Sequence, residues 1–270
     1  ATLQPGSVQV CHLAAASESG SDRAAGVIAD GKYRYERKFV SRRPAEGKLH
    51  ALIRLHPAGF REIYPPRHVN NVYLDAWDLA NYQAHMDGVS CRHKIRVRWY
   101  GELHAERSAA VLELKIRRGL VGKKRRFELG IFDTSRGVDP ELIRARLADA
   151  SLPADLKCTI DCLQPTLLNR YRREYFVSLD DKLRLTVDSD QSFRRIGVGT
   201  DSALTQWRSD EDEIIELKYA VENEDAAARA SQHFPFRLAR HSKYARGISL
   251  TRFEPLERYV FSVGHPGSPC

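Results

Sequence analysis

The sequence predicts an α+β fold built on a mainly antiparallel sheet. Three observations carry that expectation. Several segments alternate strictly between charged and apolar residues, some pairs are joined by tight turns, and helical segments fall between groups of strands without a regular strand–helix–strand rhythm. The last point excludes a doubly wound nucleotide-binding fold. Residues 33–40 form the first expected strand. Residues 44–55 place Leu49, Leu52 and Ile53 at the spacing of an amphipathic helix, and 71–74 read as a short strand. A helix over 78–86 ends at Gly88. Strands follow at Cys91–Tyr100, 111–117 and 123–129. Asp139-Pro140-Glu141 starts a helical section, with Asp as N-cap and Pro at the first helical position, running to about Leu163. Strands 167–178 and 183–189 meet at an Asp180-Asp181 turn, then come strands 193–198 and 213–219. Helices at 223–234 and 235–245 close the series.

These elements make one domain, 32–254, between a flexible leader at 1–31 and a tail at 255–270. No apolar run approaches the ~18 residues a membrane-spanning helix needs. The 270 residues carry 43 Lys and Arg against 35 Asp and Glu, a formal net charge of +8, which favours anionic partners. Nucleic acid, phosphorylated small molecules and acidic membrane surfaces all meet that description. The five cysteines, Cys11, Cys91, Cys158, Cys162 and Cys270, are odd in number and scattered. Cys158 and Cys162 would share a helix face, but no second pair completes a zinc site. Free thiols and no signal segment predict a cytoplasmic protein.

The strands carry the chemistry. In Cys91–Tyr100 the even positions are Arg92, Lys94, Arg96 and Arg98, while Ile95, Val97 and Trp99 take the odd ones. Side chains two apart share a face, so four cations line up on one side and an apolar stripe on the other. Glu36 and Lys38, Glu113 and Lys115, Arg184, Thr186 and Asp188, and Glu216 and Lys218 repeat the design. A solvated sheet face is one reading of a single such strand. Five of them, with like charges at adjacent positions of one face, instead call for an anion. Helices covering the apolar side would turn the charged side inward, and a closed sheet with a charged interior is a tunnel. Single-stranded nucleic acid is disfavoured there, because Tyr35, Phe39 and Trp99 lie on the opposite parity from the cations. Carboxylates among Arg and Lys suit a divalent metal held between protein and phosphate. No Walker-type GxxxxGK[ST] is present.

Eight motifs then occur in order: Arg34-Tyr35-Glu36-Arg37-Lys38-Phe39, Val69-Asn70-Asn71-Val72-Tyr73-Leu74-Asp75, Lys94-Ile95-Arg96-Val97-Arg98-Trp99-Tyr100-Gly101, Leu112-Glu113-Leu114-Lys115, Tyr171-Arg172-Arg173-Glu174, Leu183-Arg184-Leu185-Thr186-Val187-Asp188, Ile215-Glu216-Leu217-Lys218-Tyr219 and Ser242-Lys243-Tyr244. Together they resemble the VTC domain, the catalytic module of polyphosphate polymerases of the vacuolar transporter chaperone, within the CYTH or triphosphate tunnel metalloenzyme superfamily. The resemblance implies a closed eight-stranded antiparallel β-barrel with flanking helices, whose tunnel binds ATP, triphosphate or polyphosphate. It implies Lys38, Arg96, Arg98, Lys115, Arg173, Arg184 and Lys243 as catalytic phosphate ligands. It implies Glu216 as the principal ligand of a divalent metal, Mn²⁺ or Mg²⁺, with Glu36 assisting. Lys218 is assigned a substrate contact or an ion pair within the tunnel. Asn71, Tyr73 and Asp75 are assigned to structure, and His68 and His93 to no catalytic part. Eukaryotic relatives add a phosphate-sensing domain and a transmembrane region, so the resemblance implies a stand-alone, bacterial-type member.

The expected function is transfer of the γ-phosphate of ATP to a growing polyphosphate chain. A hydrolase using the same tunnel and a non-catalytic polyphosphate-binding module are the alternatives. Retention of both Glu36 and Glu216 counts against the latter.

Overall fold

In the computed structural model, which describes residues 34–42, 47–118, 121–197 and 206–253, the alternating segments become strands of one antiparallel sheet. The expected leader, and the tail from 255, lie outside the described residues. The strands are β1 (Arg34–Ser41), β2 (Arg61–Asp75), β3 (Cys91–Tyr100), β4 (Ser108–Arg118), β5 (Val121–Phe132), β6 (Gln164–Val177), β7 (Leu183–Arg195), β8 (Arg208–Asp210) and β9 (Glu213–Ala220). Eight of them follow the order β1-β9-β7-β6-β2-β3-β4-β5, and the short β8 pairs with β7. Helices are α1 (Lys48–Arg54), α2 (Ala80–Met86), α3 (Pro140–Ala148), α4 (Ala154–Asp161), α5 (Glu224–Gln232) and α6 (Lys243–Ile248). None of the described helices is long and apolar enough to cross a membrane.

The apolar face is covered in two places. Ile143 and Leu147 of α3, with Leu156 and Ile160 of α4, pack on Ile95, Val97, Trp99, Leu112, Leu114 and Phe127. Leu49 and Ile53 of α1, with Ala227 and Ala230 of α5, pack on Phe39, Leu185, Val187, Ile215 and Leu217. Burying each of the larger side chains contributes about 1.5–3 kcal/mol, so the face with the apolar parity is fixed toward the helices. The charged parity faces the other way. α3 starts where the sequence places it, with the Asp139 carboxylate accepting from Leu142 N and Pro140 in the first turn.

α6 lies on the charged side, against one end of it. Tyr244 and Ile248 pack with Tyr73, Leu167 and Phe193. A Cβ at Gly247 would come within 2.5 Å of the Leu167 and Phe193 side chains, so glycine is what lets this helix sit so close.

The barrel is not closed. β1 and β5 are the ends of the strand order and do not pair. The free side of β1 is used otherwise: Ala239 N donates to Lys38 O at 2.9 Å, and Phe39 bridges Leu238. That segment was expected to be helical, over 235–245; it runs extended beside β1, and the helix begins only at Lys243. The sheet still curls strongly, because Lys115 on β4 reaches Glu36 on β1 at 3.4 Å. The charged face therefore lines a trough.

β2 and β7 depart most from expectation. β2 starts at Arg61, ten residues before the expected 71, and absorbs Pro65 and Pro66 in register shifts against β6. The separate strands at 183–189 and 193–198 are one strand, β7, kinked at Asp190, whose φ of 50° sits at a shift against β6 between Arg170 and Arg172.

Candidate functional site

Glu36 and Lys38 alternate along β1, and Glu216 and Lys218 along β9. Antiparallel register sets Glu36 opposite Lys218 and Lys38 opposite Glu216, so unlike charges face each other twice. The Lys38 ammonium lies 2.8 Å from Glu216 and 3.0 Å from Glu36, and Lys218 donates to the other Glu216 oxygen at 2.7 Å. Burial pushes the Glu216 carboxyl up, but Lys218, Lys38, Arg173 and Lys243 prevail and hold it well below the usual range. At Glu36, burial and the Glu216 charge raise the pKa, while Lys38, Lys115 and Lys218 bring it down to about 2. Both groups are carboxylates at neutral pH.

The next strands extend the pattern. Arg173 on β6 forks onto Asp188 of β7 at 2.5 and 2.6 Å and lies 3.6 Å from Glu216. Lys243, at the start of α6, reaches Asp188 at 2.5 Å, which makes this carboxylate a clamp between sheet and helix. On the opposite wall Glu113 of β4, 2% exposed, plays the same part. It accepts from Arg96 at 2.8 and 2.6 Å and from Arg126 at 2.9 Å, with Lys124 at 2.9 Å and Arg98 at 3.4 Å. Arg98 also donates to Asn71 Oδ1 at 2.8 Å and to the Tyr171 hydroxyl at 3.2 Å.

Lys38, Arg96, Arg98, Arg173, Lys243, Lys218, Glu36 and Glu216 thus come together on one face. Lys115 joins them through Glu36, with its side chain more than half exposed. Arg184 is exposed at the end of the face, opposite Lys218 in register, and forms no ion pair among the described residues. Asn71 and Asp75 are buried braces: Asn71 orients Arg98, and Asp75 accepts from the amides of Ala76, Asn81 and Tyr82 and from the Tyr244 hydroxyl. Tyr73 sits beside them, its hydroxyl accepting from Arg96 at 3.3 Å.

Lys94 has surroundings unlike those of Lys38, Arg96, Arg173 and Lys218, which all meet carboxylates. Its register partner on β4 is Lys115, whose own partner on β5 is Lys124, so three lysines stand in a row. Its ammonium donates to Ser242 Oγ at 2.7 Å and meets no carboxylate among the described residues. Burial, with Lys38, Lys115, Arg92 and Arg96 nearby, depresses its pKa to about 7. His85 and His241, pushed down to about 4 and about 3 by burial and nearby cations, are neutral imidazoles at pH 7.

Two parts of this site escape a reading of alternation. Lys124 and Arg126 belong to the unbroken cationic run 123–126, which hides which members face inward. The charged face also carries aromatic rings that the parity of Tyr35, Phe39 and Trp99 does not reveal. Tyr73, Tyr100 and Tyr171 stand in register rows with inward residues of neighbouring strands.

Among the described residues no three His, Cys, Asp or Glu side chains gather closely enough to hold a metal ion by themselves. Glu216 and Glu36 still fit a hard divalent cation in the manner usual for Mg²⁺, which takes one or two carboxylates and completes its shell with phosphate oxygens and water. Both are ionised, and both contribute oxygen.

Comparison with solved structures finds distant matches. A Vibrio parahaemolyticus protein named as an adenylate cyclase is 11% identical, covering 80% of this chain and 98% of its own, with a TM-score of 0.43. A Hippeastrum protein named as an adenylyl cyclase, described as having a dominant triphosphatase activity, is 15% identical over 80% and 96%, with a TM-score of 0.44. A Bacillus halodurans protein named as an adenylate cyclase is 16% identical over 82% and 98%, with a TM-score of 0.41. No curated protein matches the chain. The family model for the VTC domain matches residues 34–252, a span that takes in every strand of the trough and the helix carrying Lys243. The chain belongs to the VTC domain family.

Proposed function

We propose that this protein is a metal-dependent polyphosphate polymerase, moving the γ-phosphate of ATP onto a growing inorganic polyphosphate chain. The observation that carries this reading is Glu216, an ionised carboxylate enclosed by Lys38, Lys218 and Arg173 on a face otherwise built to hold anions. The cations are already positioned by carboxylates, so phosphate oxygens enter a preorganised set and need only share or replace those contacts. Guanidinium forks at Arg96, Arg98 and Arg173 suit two oxygens of one phosphate, and Lys38 and Lys243 serve as point charges.

In the reaction an oxygen of the acceptor's terminal phosphate bonds to the γ-phosphorus while the bond to the β-phosphate oxygen breaks, and ADP leaves. The charge accumulating on the equatorial oxygens is stabilised by the same arginines and lysines. A divalent cation held by Glu216 with Glu36 beside it would neutralise phosphate charge and orient the transferred group. The acceptor oxygen is already anionic and requires no general base. The paired state of Glu36, Glu113, Asp188 and Glu216, each committed to cations, is compatible with that.

Purified protein incubated with ATP and Mn²⁺ should yield long polyphosphate on a gel that resolves it from free phosphate. Free phosphate alone would make the protein a hydrolase, and neither product would leave a binding module.

A further inference from the structure

The charged face does not end with its arginines. Tyr100 lies two residues beyond Arg98 on β3, and Tyr175 two beyond Arg173 on β6, so alternation keeps both rings on the cationic side. Arg67 on β2 is directly opposite Arg173, and Tyr64 opposite Tyr175. These four side chains form a ladder. The Arg67 guanidinium sits 4.3 Å from the Tyr100 ring centroid and 4.9 Å from that of Tyr175, and donates to the Tyr175 hydroxyl at 2.9 Å. Tyr64 meets Tyr175 edge to face, with centroids 5.8 Å apart. Tyr64 is 58% exposed and Tyr100 37%.

Flat π-surfaces and a planar guanidinium, presented to solvent where a line of phosphate-binding cations ends, match one kind of ligand: a planar base carried on a phosphate chain. We infer that Tyr64, Arg67, Tyr100 and Tyr175 form a nucleobase subsite that stacks the base of the nucleoside triphosphate while its phosphates run inward past Arg98 and Arg173. The inference rests on the proposed function and adds to it a reason for the enzyme to prefer a nucleotide over bare triphosphate. The stack reads no base edge, so purine and pyrimidine nucleotides are both accepted, the larger rings better. The competing explanation is that the ladder only stiffens the mouth of the trough.

Calorimetry with the non-hydrolysable β,γ-imido analogue of ATP and with inorganic tripolyphosphate separates these. Stacking on one aromatic side chain corresponds to a loss of about 5- to 150-fold on its removal. Tyr100→Leu and Tyr64→Leu should weaken the nucleotide by that order and leave tripolyphosphate unchanged, whereas Tyr100→Phe keeps the ring and the affinity. Equal weakening of both ligands would reduce the ladder to architecture, and no weakening of either would overturn the subsite. If wild-type protein binds neither ligand, the proposed function fails and the subsite with it. Wild-type binding of tripolyphosphate with no advantage for the nucleotide overturns the subsite alone.

Discussion

Lys38 and Glu216 are separated by 178 positions in the chain, yet register sets them face to face across β1 and β9 with 2.8 Å between ammonium and carboxylate. Among the described residues the pair joins the first strand to the last long one and places an ionised carboxylate among the inward cations.

Replacing Glu216 with Gln keeps the shape and removes the charge a hard cation prefers. Metal-dependent ATP turnover should fall at least about 100-fold, since a bound metal is worth several kcal/mol of transition-state stabilisation. Tripolyphosphate affinity should hold or rise, because the cations lose a competitor. Turnover and melting temperature measured on one preparation decide between roles: near-normal turnover in a protein of lowered stability would sink the metal assignment and leave a structural ion pair.

Glu113 gathers Arg96, Arg98, Lys124 and Arg126 from β3 and β5. Glu113→Gln strands four cations around a buried amide and should cost about 3–5 kcal/mol in urea unfolding, as for a buried pair that loses one partner. Tripolyphosphate supplies the missing negative charge. It should therefore raise the melting temperature of the variant more than that of wild type; an equal rise in both would remove these cations from the binding site.

Lys94 predicts a pH effect of a particular sign. Its folded-state pKa of about 7 lies below the unfolded value of roughly 10.4, so the unfolded chain holds more protons between those pH values. Stability therefore rises with pH across that interval. Lys94→Met removes the uncompensated charge and should melt higher than wild type at pH 6.5, with the gap narrowing toward pH 9.5. Parallel melting curves for the two proteins across that range would contradict it.

Cys91, Cys158 and Cys162 are free and exposed, and Cys158 and Cys162 stay unlinked although one helical turn apart. Adding reductant should leave the melting temperature unchanged; a drop would reveal a stabilising disulfide.

Much of the site was legible because charge alternation is a local property. Glu36-Arg37-Lys38 and Glu216-Leu217-Lys218 declare their inward members directly, and antiparallel pairing of two such triplets produces the crossed ion pairs without further information. Partnership across strands was not legible. Arg96 and Lys94 look equivalent in the sequence, but register gives Arg96 a glutamate and Lys94 another lysine. Pro65 and Pro66 concealed the first half of β2, and with it Arg67 and Tyr64. Closure of the barrel failed for a long-range reason: Leu238 and Ala239 take the edge of β1 that pairing with β5 would have needed.

The register of β1 also sets a timetable for biosynthesis. Its pairing strand, β9, is synthesised some 178 residues later than Lys38, and Lys243 later still. At a ribosomal rate of about 5–20 residues per second, β1 waits roughly 10–35 s for its neighbour. Throughout that wait the nascent strand carries an apolar stripe with both hydrogen-bonding edges open, the arrangement most prone to mispairing with another chain. Glu36 and Lys38 place charges on that strand, the residue type that discourages such mispairing. Lys243 on α6 reaches Asp188 only after that wait, so the clamp between sheet and helix closes later than the pairing of β1 with β9.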